Sequence, residues 1–346
     1  MAARRGPDGA PPQDYGVSMR AAVVTAPGRV EIADRPRPKP GPGDLLLRTI
    51  AASICASDFH SLFPGAGALE LARQPSDVLG HEAVGVVEES RDPRFEPGDL
   101  VLATPPVPIG RTFADYQLLP ARYALPLPAG HDPADLLMAQ QLGTAVYALK
   151  DFMPGALPRS AAIIGLGPAG LNFVQLLAYR GVSAIIGADP CAWRLDAARE
   201  LGATDVIDPG ETDTVTAIAG LTGGHGAELV VEAAGLNQTR RQAMLAVTVR
   251  GRVGLFGLPE AGAPDLSMPF ARVFRQRASI YTTFDAQNEP GLASFAQARD
   301  LIIAGAVRPR ALISHRFPLD RVADAFEAAR HRPPGVRKVV VDVPGA

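Results

Sequence analysis

The apolar run Ala161-Ala162-Ile163-Ile164 meets the turn Gly165-Leu166-Gly167-Pro168-Ala169-Gly170 and continues into the apolar segment Leu171 to Tyr179. A strand, a glycine turn and a helix in that order give a G-x-G-x-x-G spacing its meaning; alone, the spacing is weak. The glycines permit a tight turn, close approach of a pyrophosphate to the backbone, and close packing of helix on strand. The helix N-terminus then faces the anion. Outside this context the same glycines would mark only a turn in an unrelated α/β sheet.

Working outward, Val182 to Ile186 is expected to form a second buried strand ending at Asp189, nineteen residues after Gly170. A carboxylate at that place suits an adenine-ribose 2′-hydroxyl and repels a 2′-phosphate, which favours NAD over NADP. Arg194 nearby softens that preference. The segment Ala192 to Leu201 has helical character, and Asp205 to Ile207, Leu229 to Val231 and Val253 to Phe256 are further strand candidates. Strands alternating with helices at this spacing predict a doubly wound parallel sheet.

Upstream the pattern differs. Short apolar runs broken by Pro and Gly, such as Ala21 to Val24, Val30 to Ile32, Leu45 to Leu47, Ala83 to Val87 and Leu100 to Leu102, predict an all-β, barrel-like domain up to about Pro128. Helical periodicity sets in over Ala134 to Phe152. The segment from Ala311 to Val343 returns to mixed character and is expected to rejoin the first domain. Residues 1–18, rich in Pro, Gly, Ala and charge, read as a disordered tail without the apolar core of a signal peptide. Met19, where the ordered pattern begins, is an alternative start.

The composition narrows the function classes. Of 346 residues, 47% are hydrophobic and 20% charged, as in soluble globular proteins with room for two domains. A formal net charge of -2 argues against nucleic acid or an acidic membrane surface as partner, and no apolar run is long enough to span a bilayer. Cys55 and Cys191, far apart, give neither a disulfide framework nor a cysteine-rich zinc cluster, so a cytoplasmic location is expected. Lysine occurs only at Lys39, Lys150 and Lys338, and the bias towards Arg, Ala, Pro and Gly is read as a property of coding.

Two short runs carry the chemistry: Cys55-Ala56-Ser57-Asp58-Phe59-His60 and Gly80-His81-Glu82. Singly, a Cys is usually a small buried hydrophobe, and a His-Glu pair usually a hydrogen-bonded strand end. Together they offer what a catalytic zinc requires, about three ligands from Cys, His or carboxylate beside an open position. Cys55, His81 and Glu82 supply candidate ligands. Ser57 and His60 supply a hydroxyl and an imidazole for moving a proton.

With these motifs, with Pro97-Gly98-Asp99 and with Ile313 to Leu319, the chain from about Met19 to Val343 resembles the zinc-type medium-chain dehydrogenases/reductases, on their alcohol, sorbitol and threonine dehydrogenase side. The resemblance implies a GroES-like, β-rich catalytic domain (residues 19–142 and 288–346) around an inserted Rossmann domain (143–287). Cys55 and His81 match the first two catalytic zinc ligands, and Glu82 the adjacent acid that approaches the metal. Ser57 matches the hydroxyl that takes the substrate proton, His60 the surface end of the relay, and Asp58 a carboxylate that orients a zinc-bound imidazole. Gly165, Gly167, Pro168, Ala169 and Gly170 match the pyrophosphate turn; Asp189 and Arg194 fall at the ribose. Thr144 matches a residue beside the nicotinamide, and Lys338 a cation on the pyrophosphate.

Two departures stand out. Gln140 occupies the third-ligand position, where the family has Cys, Asp or Glu, and an amide oxygen is a poor zinc ligand. Glu82 takes that place, or Gln140 ligates weakly, or zinc is not held. The four cysteines of a structural-zinc lobe, expected between about Val101 and Arg111, are absent from the sequence. The expectation is therefore an NAD-dependent dehydrogenase of a secondary alcohol, polyol-, sugar- or cyclitol-like, in a biosynthetic setting. It would carry one catalytic zinc and no structural zinc, and form a homodimer or homotetramer through the edge strand Ala278 to Thr283. A metal-free NAD(P)H reductase of enones, quinones or iminium-like groups is the first alternative, and a non-enzymatic dinucleotide-binding protein the second. The loops Phe63 to Gln74, Pro105 to Phe113 and Phe284 to Pro290 are expected to line the substrate pocket.

Overall fold

The structure, a computed structural model, describes residues 18–63, 77–259 and 264–344. The expected tail and most of the Phe63 to Gln74 loop lie outside these residues. The chain opens with an antiparallel hairpin, β1 (Ser18–Ala26) and β2 (Arg29–Pro36), across the Pro27-Gly28 turn. Next come β3 (Asp44–Ser53), the short helix α1 (Asp58–Leu62), β4 (Ala83–Ser90), β5 (Leu100–Ala103), β6 (Tyr116–Pro120) and β7 (Ala124–Pro126). Helices α2 (Pro133–Leu137) and α3 (Ala139–Phe152) follow. Asp132 caps α2, its side chain accepting from the Ala134 N–H, and Pro133 sits at the first helical position, where a missing N–H costs nothing.

The next segment alternates strand and helix. It runs β8 (Ser160–Ile164), α4 (Pro168–Tyr179), β9 (Ala184–Ala188), α5 (Ala192–Glu200), β10 (Asp205–Ile207), α6 (Thr214–Leu221), β11 (Ala227–Glu232), α7 (Asn237–Ala246) and β12 (Val247–Leu255). After α8 (Phe270–Gln276) and β13 (Ser279–Thr282) the chain forms α9 (Ala293–Ile303), β14 (Ile313–Pro318), α10 (Val322–His331) and β15 (Lys338–Asp342). The expected strand Val182 to Ile186 is displaced to β9, because Gly181 (φ 84°) ends the turn after α4 and Val182 still bonds back to Leu177.

Strands β8 to β13 form one parallel sheet in the order β10-β9-β8-β11-β12-β13, the doubly wound arrangement. Such a sheet is covered on both faces, and its centre reads accordingly: Ala161, Ala162 and Ile163 of β8 and Leu229, Val230 and Val231 of β11 are at most 1% exposed. The strand order changes direction between β8 and β11, so a crevice opens at the C-terminal ends of these strands.

The other large sheet runs β14-β15-β3-β4-β5-β7, with β6 also paired to β3. Its central strand carries Leu45, Leu46 and Leu47, all fully buried, so this sheet too is covered on both faces. The last segment does rejoin it: β15 pairs antiparallel with β3, Val340 opposite Ser53 and Val341 opposite Ala52. The two sheets meet through α2 and α3, whose buried Leu136, Leu137, Val146 and Leu149 share a core with residues of both. At about 1.5–3 kcal/mol for each fully buried side chain, this shared core holds the crevice walls together.

Candidate active site

The glycine turn shows why each glycine stands where it does. Gly165 adopts φ 95°, a left-handed conformation that disfavours a side chain, and a Cβ there would lie 2.7 Å from the Ala234 nitrogen. A Cβ on Gly170 would lie 1.9 Å from the Gly165 carbonyl oxygen, so α4 packs tightly onto the turn. At Gly167 a Cβ would meet nothing within 4 Å, which leaves open space where a phosphate would approach. Gly167 caps α4 without any side-chain hydrogen bond, and its free N–H groups with the helix dipole make an anion-binding terminus.

A cavity of about 670 Å³ runs from this turn to the first sequence motif. Gly165, Gly167, Pro168, Ala169, Asp189 and Arg194 line it, and so do Cys55, Ser57 and His60. His81 and Glu82, 4% and 1% exposed, lie behind its wall. Gln141 reaches the cavity, whereas its neighbour Gln140 is 2% exposed in the first turn of α3 and Thr144 spends its hydroxyl on the Gln141 carbonyl. Neither the 105–113 nor the 284–290 loop lines the cavity, contrary to expectation.

One carboxylate organises the metal-type cluster. Asp58 Oδ2 accepts the Cys55 backbone N–H at 2.8 Å, and Oδ1 stands 3.0 Å from His81 Nδ1. That contact turns Nε2 the other way, 3.2 Å from Ser57 Oγ and 3.8 Å from Glu82 Oε1. Burial opposes a charged imidazole at His81, but Asp58 and Cys55 outweigh it and hold the pKa well above its ordinary value.

The ligand atoms of Cys55, His81 and Glu82 all lie within 4.8 Å of one another. Tetrahedral zinc with bonds of about 2.0–2.3 Å separates its ligand atoms by roughly 3.3–3.8 Å, so the three residues fit a zinc ion after a small contraction. The donor set of thiolate, imidazole and carboxylate suits that metal.

Lys338, which the resemblance matches to a cation on the pyrophosphate, borders the cavity and is engaged by a carboxylate. Its ammonium, 2% exposed, pairs with Glu82 Oε2 at 2.6 Å, and Ser53 Oγ donates to the same carboxylate. Lys338 begins β15, which pairs with β3 from Val340 onward, and both Arg337 and Lys338 border the cavity. Burial raises the Glu82 pKa less than Lys338 and His81 lower it, and the carboxylate is held below its usual range. Ser53, Gln141, Arg332 and Arg337 join the site without a sequence motif to announce them; only the neighbourhood of Lys338 pointed towards Arg337.

Asp189 does lie at the end of β9, 3% exposed, but its oxygens are engaged. They accept the Leu166 N–H at 2.8 Å, the Cys191 N–H at 2.9 Å and Arg194 Nη1 at 3.2 Å.

Comparison with known proteins agrees with this geometry. Residues 41–129 match the alcohol dehydrogenase GroES-like domain, and residues 168–302 the zinc-binding dehydrogenase family; together these segments cover more than half of the chain. The L-threonine 3-dehydrogenase of Pyrococcus horikoshii is 26% identical over 341 residues, covering 90% of this chain and 95% of its own. The sorbitol dehydrogenase of Bacillus subtilis is 26% identical, with 90% and 94% covered. A structure described as a zinc-binding dehydrogenase of Sinorhizobium meliloti 1021, bound to NADP, superposes with a TM-score of 0.81 at 26% identity, covering 94% of this chain and 99% of that one. The chain belongs to the zinc-type medium-chain dehydrogenase/reductase superfamily. Its two large sheets are the GroES-like and Rossmann-like parts of that fold.

Proposed function

We propose that this chain is an NAD(P)-dependent dehydrogenase that oxidises a secondary alcohol, polyol-, sugar- or cyclitol-like, to a ketone. Cys55, His81 and Glu82 would hold one zinc ion, with no structural zinc. The observation that carries the reading is a single cavity lined both by Cys55, Ser57 and His60 and by the glycine turn with Asp189. When bound, zinc would polarise the substrate oxygen and the nicotinamide would accept the hydride.

The chain's own residues do the rest. Asp58 fixes the His81 ring and the Cys55 backbone together, so two ligands are set before any metal arrives. Ser57 Oγ, at the cavity wall, receives the proton of the substrate hydroxyl and passes it towards His60. His60 Nδ1 has no hydrogen-bond partner among the described residues, and burial lowers its pKa, which favours the neutral ring with a nitrogen free to take part in the relay. The polyol class is supported by the names of the relatives, sorbitol dehydrogenase among them.

The domains that would carry this chemistry are the split catalytic domain (19–142 and 288–346) and the inserted Rossmann domain (143–287). A homodimer is supported by β13, which forms an edge of the parallel sheet, and by Phe270 and Phe274 on α8, 67% and 70% exposed. Among the described residues no helix is long and apolar enough to cross a membrane.

A second reading, a metal-free NAD(P)H reductase of enones, quinones or iminium-like groups, draws on the pairing of Glu82 with Lys338 and on Gln140 at the third-ligand position. Elemental analysis after expression in zinc-supplemented medium separates the two. About one zinc per chain, with NAD(P) reduction by an alcohol from a broad panel, supports the dehydrogenase. Zinc far below stoichiometric, with no alcohol turned over, overturns it in favour of the reductase.

A further inference from the structure

The 105–113 segment does not line the cavity and holds none of the expected cysteines, yet it is sealed at both ends: Thr104, Thr112 and Phe113 are fully buried. Pro105, Pro106 and Pro108 restrict its backbone, and the Pro106 carbonyl accepts the N–H groups of Ile109 and Gly110, each at 3.1 Å. The chain then runs against the second sequence motif. The Thr112 N–H donates to the Gly80 carbonyl at 3.3 Å and the Phe113 N–H to the Leu79 carbonyl at 3.2 Å. Gly110 has an ordinary extended backbone (φ -68°, ψ 143°), so its torsions do not ask for glycine. The contact does: a Cβ there would lie 2.2 Å from the Gly80 carbonyl oxygen and 3.0 Å from both Cα and Cβ of His81.

Gly80 is closed from the other side. It adopts φ 101°, and a Cβ on it would lie 2.1 Å from Thr112 Oγ1 and 2.7 Å from the Phe113 ring. Phe113 meets Phe326 of α10 edge to face, with ring centroids 5.4 Å apart, and Phe326 meets Phe59 in the same way at 5.8 Å. Phe59 follows Asp58, the carboxylate that holds the His81 ring. His81 is thus fixed twice, its ring by Asp58 and its main chain by residues 110–113, with one aromatic side chain packed between the two supports. Zinc sites hold their ligand distances within about 0.2 Å, and a methyl group at Gly110 would force a larger movement on His81 or on the segment. We propose that the 105–113 segment is a positioning element of the metal-type site, with Gly110 setting the place of His81 and of Glu82 next to it, and Phe326 coupling that support to the turn from Cys55 to His60. The inference rests on Cys55, His81 and Glu82 holding a metal.

Cobalt(II) in place of zinc tests it, because the visible absorption of a tetrahedral cobalt–thiolate centre reports ligand geometry as well as occupancy. In the full chain, Gly110→Ala should shift that absorption and weaken cobalt and zinc binding by about 10–100-fold in chelator competition. Gly98→Ala is the control: Gly98 has φ 102° and open space around it, so the added methyl group strains a turn without touching the site. It should lower the melting temperature and leave absorption and affinity unchanged. Phe326→Leu, which loosens the packing instead of crowding it, should shift the absorption with a smaller loss of affinity, and it carries the test if Gly110→Ala does not fold. Unchanged absorption and affinity in Gly110→Ala, or in Phe326→Leu where that variant stands in for it, overturns the proposal. So does an equal loss in Gly98→Ala, which would reduce the effect to stability. If the unmodified chain takes up neither metal, the metal reading fails as well; if it takes up both and the variants match it, this inference fails alone.

Discussion

Lys338 Nζ stands 2.6 Å from Glu82 Oε2, and both side chains are 2% exposed. Two charges sealed from water cost several kcal/mol each to desolvate, and each is tolerable only because of the other. Lys338→Met should therefore destabilise the chain by about 3–5 kcal/mol by leaving Glu82 charged and alone. Adding Glu82→Gln should recover much of that loss. Urea denaturation of the two single variants and the double variant reads the coupling; strict additivity would show that the pair does not act as a unit.

Asp58 is predicted to act on metal affinity without touching the metal. Asp58→Asn keeps the shape but loses the charge that holds the His81 ring and the turn at Cys55. Zinc affinity in a chelator competition should fall by about 10–100-fold. Unchanged affinity would mean that the ring is placed by packing alone.

Ser57→Ala removes one hydroxyl from the cavity wall and leaves the glycine turn untouched. Alcohol oxidation should slow by about 10²–10⁴-fold, while the dissociation constant of the dinucleotide stays near its original value. Turnover close to that of the unmodified chain would remove Ser57 from the proton path.

Glu232, fully buried at the end of β11, accepts from the N–H groups of Ala234 and Gly235 and from Thr239 through Oε1, whereas Oε2 has no hydrogen-bond partner among the described residues. Burial dominates these hydrogen bonds and raises its pKa above 4.5. A carboxyl raised in the folded state contributes stability that is full below its unfolded pKa and is lost as pH rises through the folded one. Glu232→Gln escapes this loss. Its melting temperature relative to the unmodified chain should increase as pH rises above the ordinary carboxyl range. A difference that does not change with pH would contradict the shift.

The sequence shows the parts of this molecule whose cause is local. The glycine turn could be recognised because Gly165 and Gly170 answer backbone requirements and Gly167 leaves open space, all within six residues, and the β8 and β11 strands because a doubly covered sheet demands an unbroken apolar run. Asp58 was placed beside a histidine by the resemblance rather than by spacing, and it stands 3.0 Å from His81 Nδ1. The pairing of Lys338 with Glu82 was not legible, since it depends on which way β15 lies beside β3, some 290 residues away in the chain. Arg332 and Arg337 were hidden for the same reason. Asp189 was correctly placed at the strand end, but its engagement by Arg194 depends on a side-chain direction that spacing does not encode.

The antiparallel contact of β15 with β3 gives the active site a direction in time. Cys55, His81 and Glu82 leave the ribosome early, yet the ammonium that balances Glu82 is on the last strand. During synthesis the metal-type cluster must therefore wait, its carboxylate uncompensated, until nearly the whole chain has emerged. Loss of only the final dozen residues would leave the Rossmann sheet able to form and the cluster beside it open.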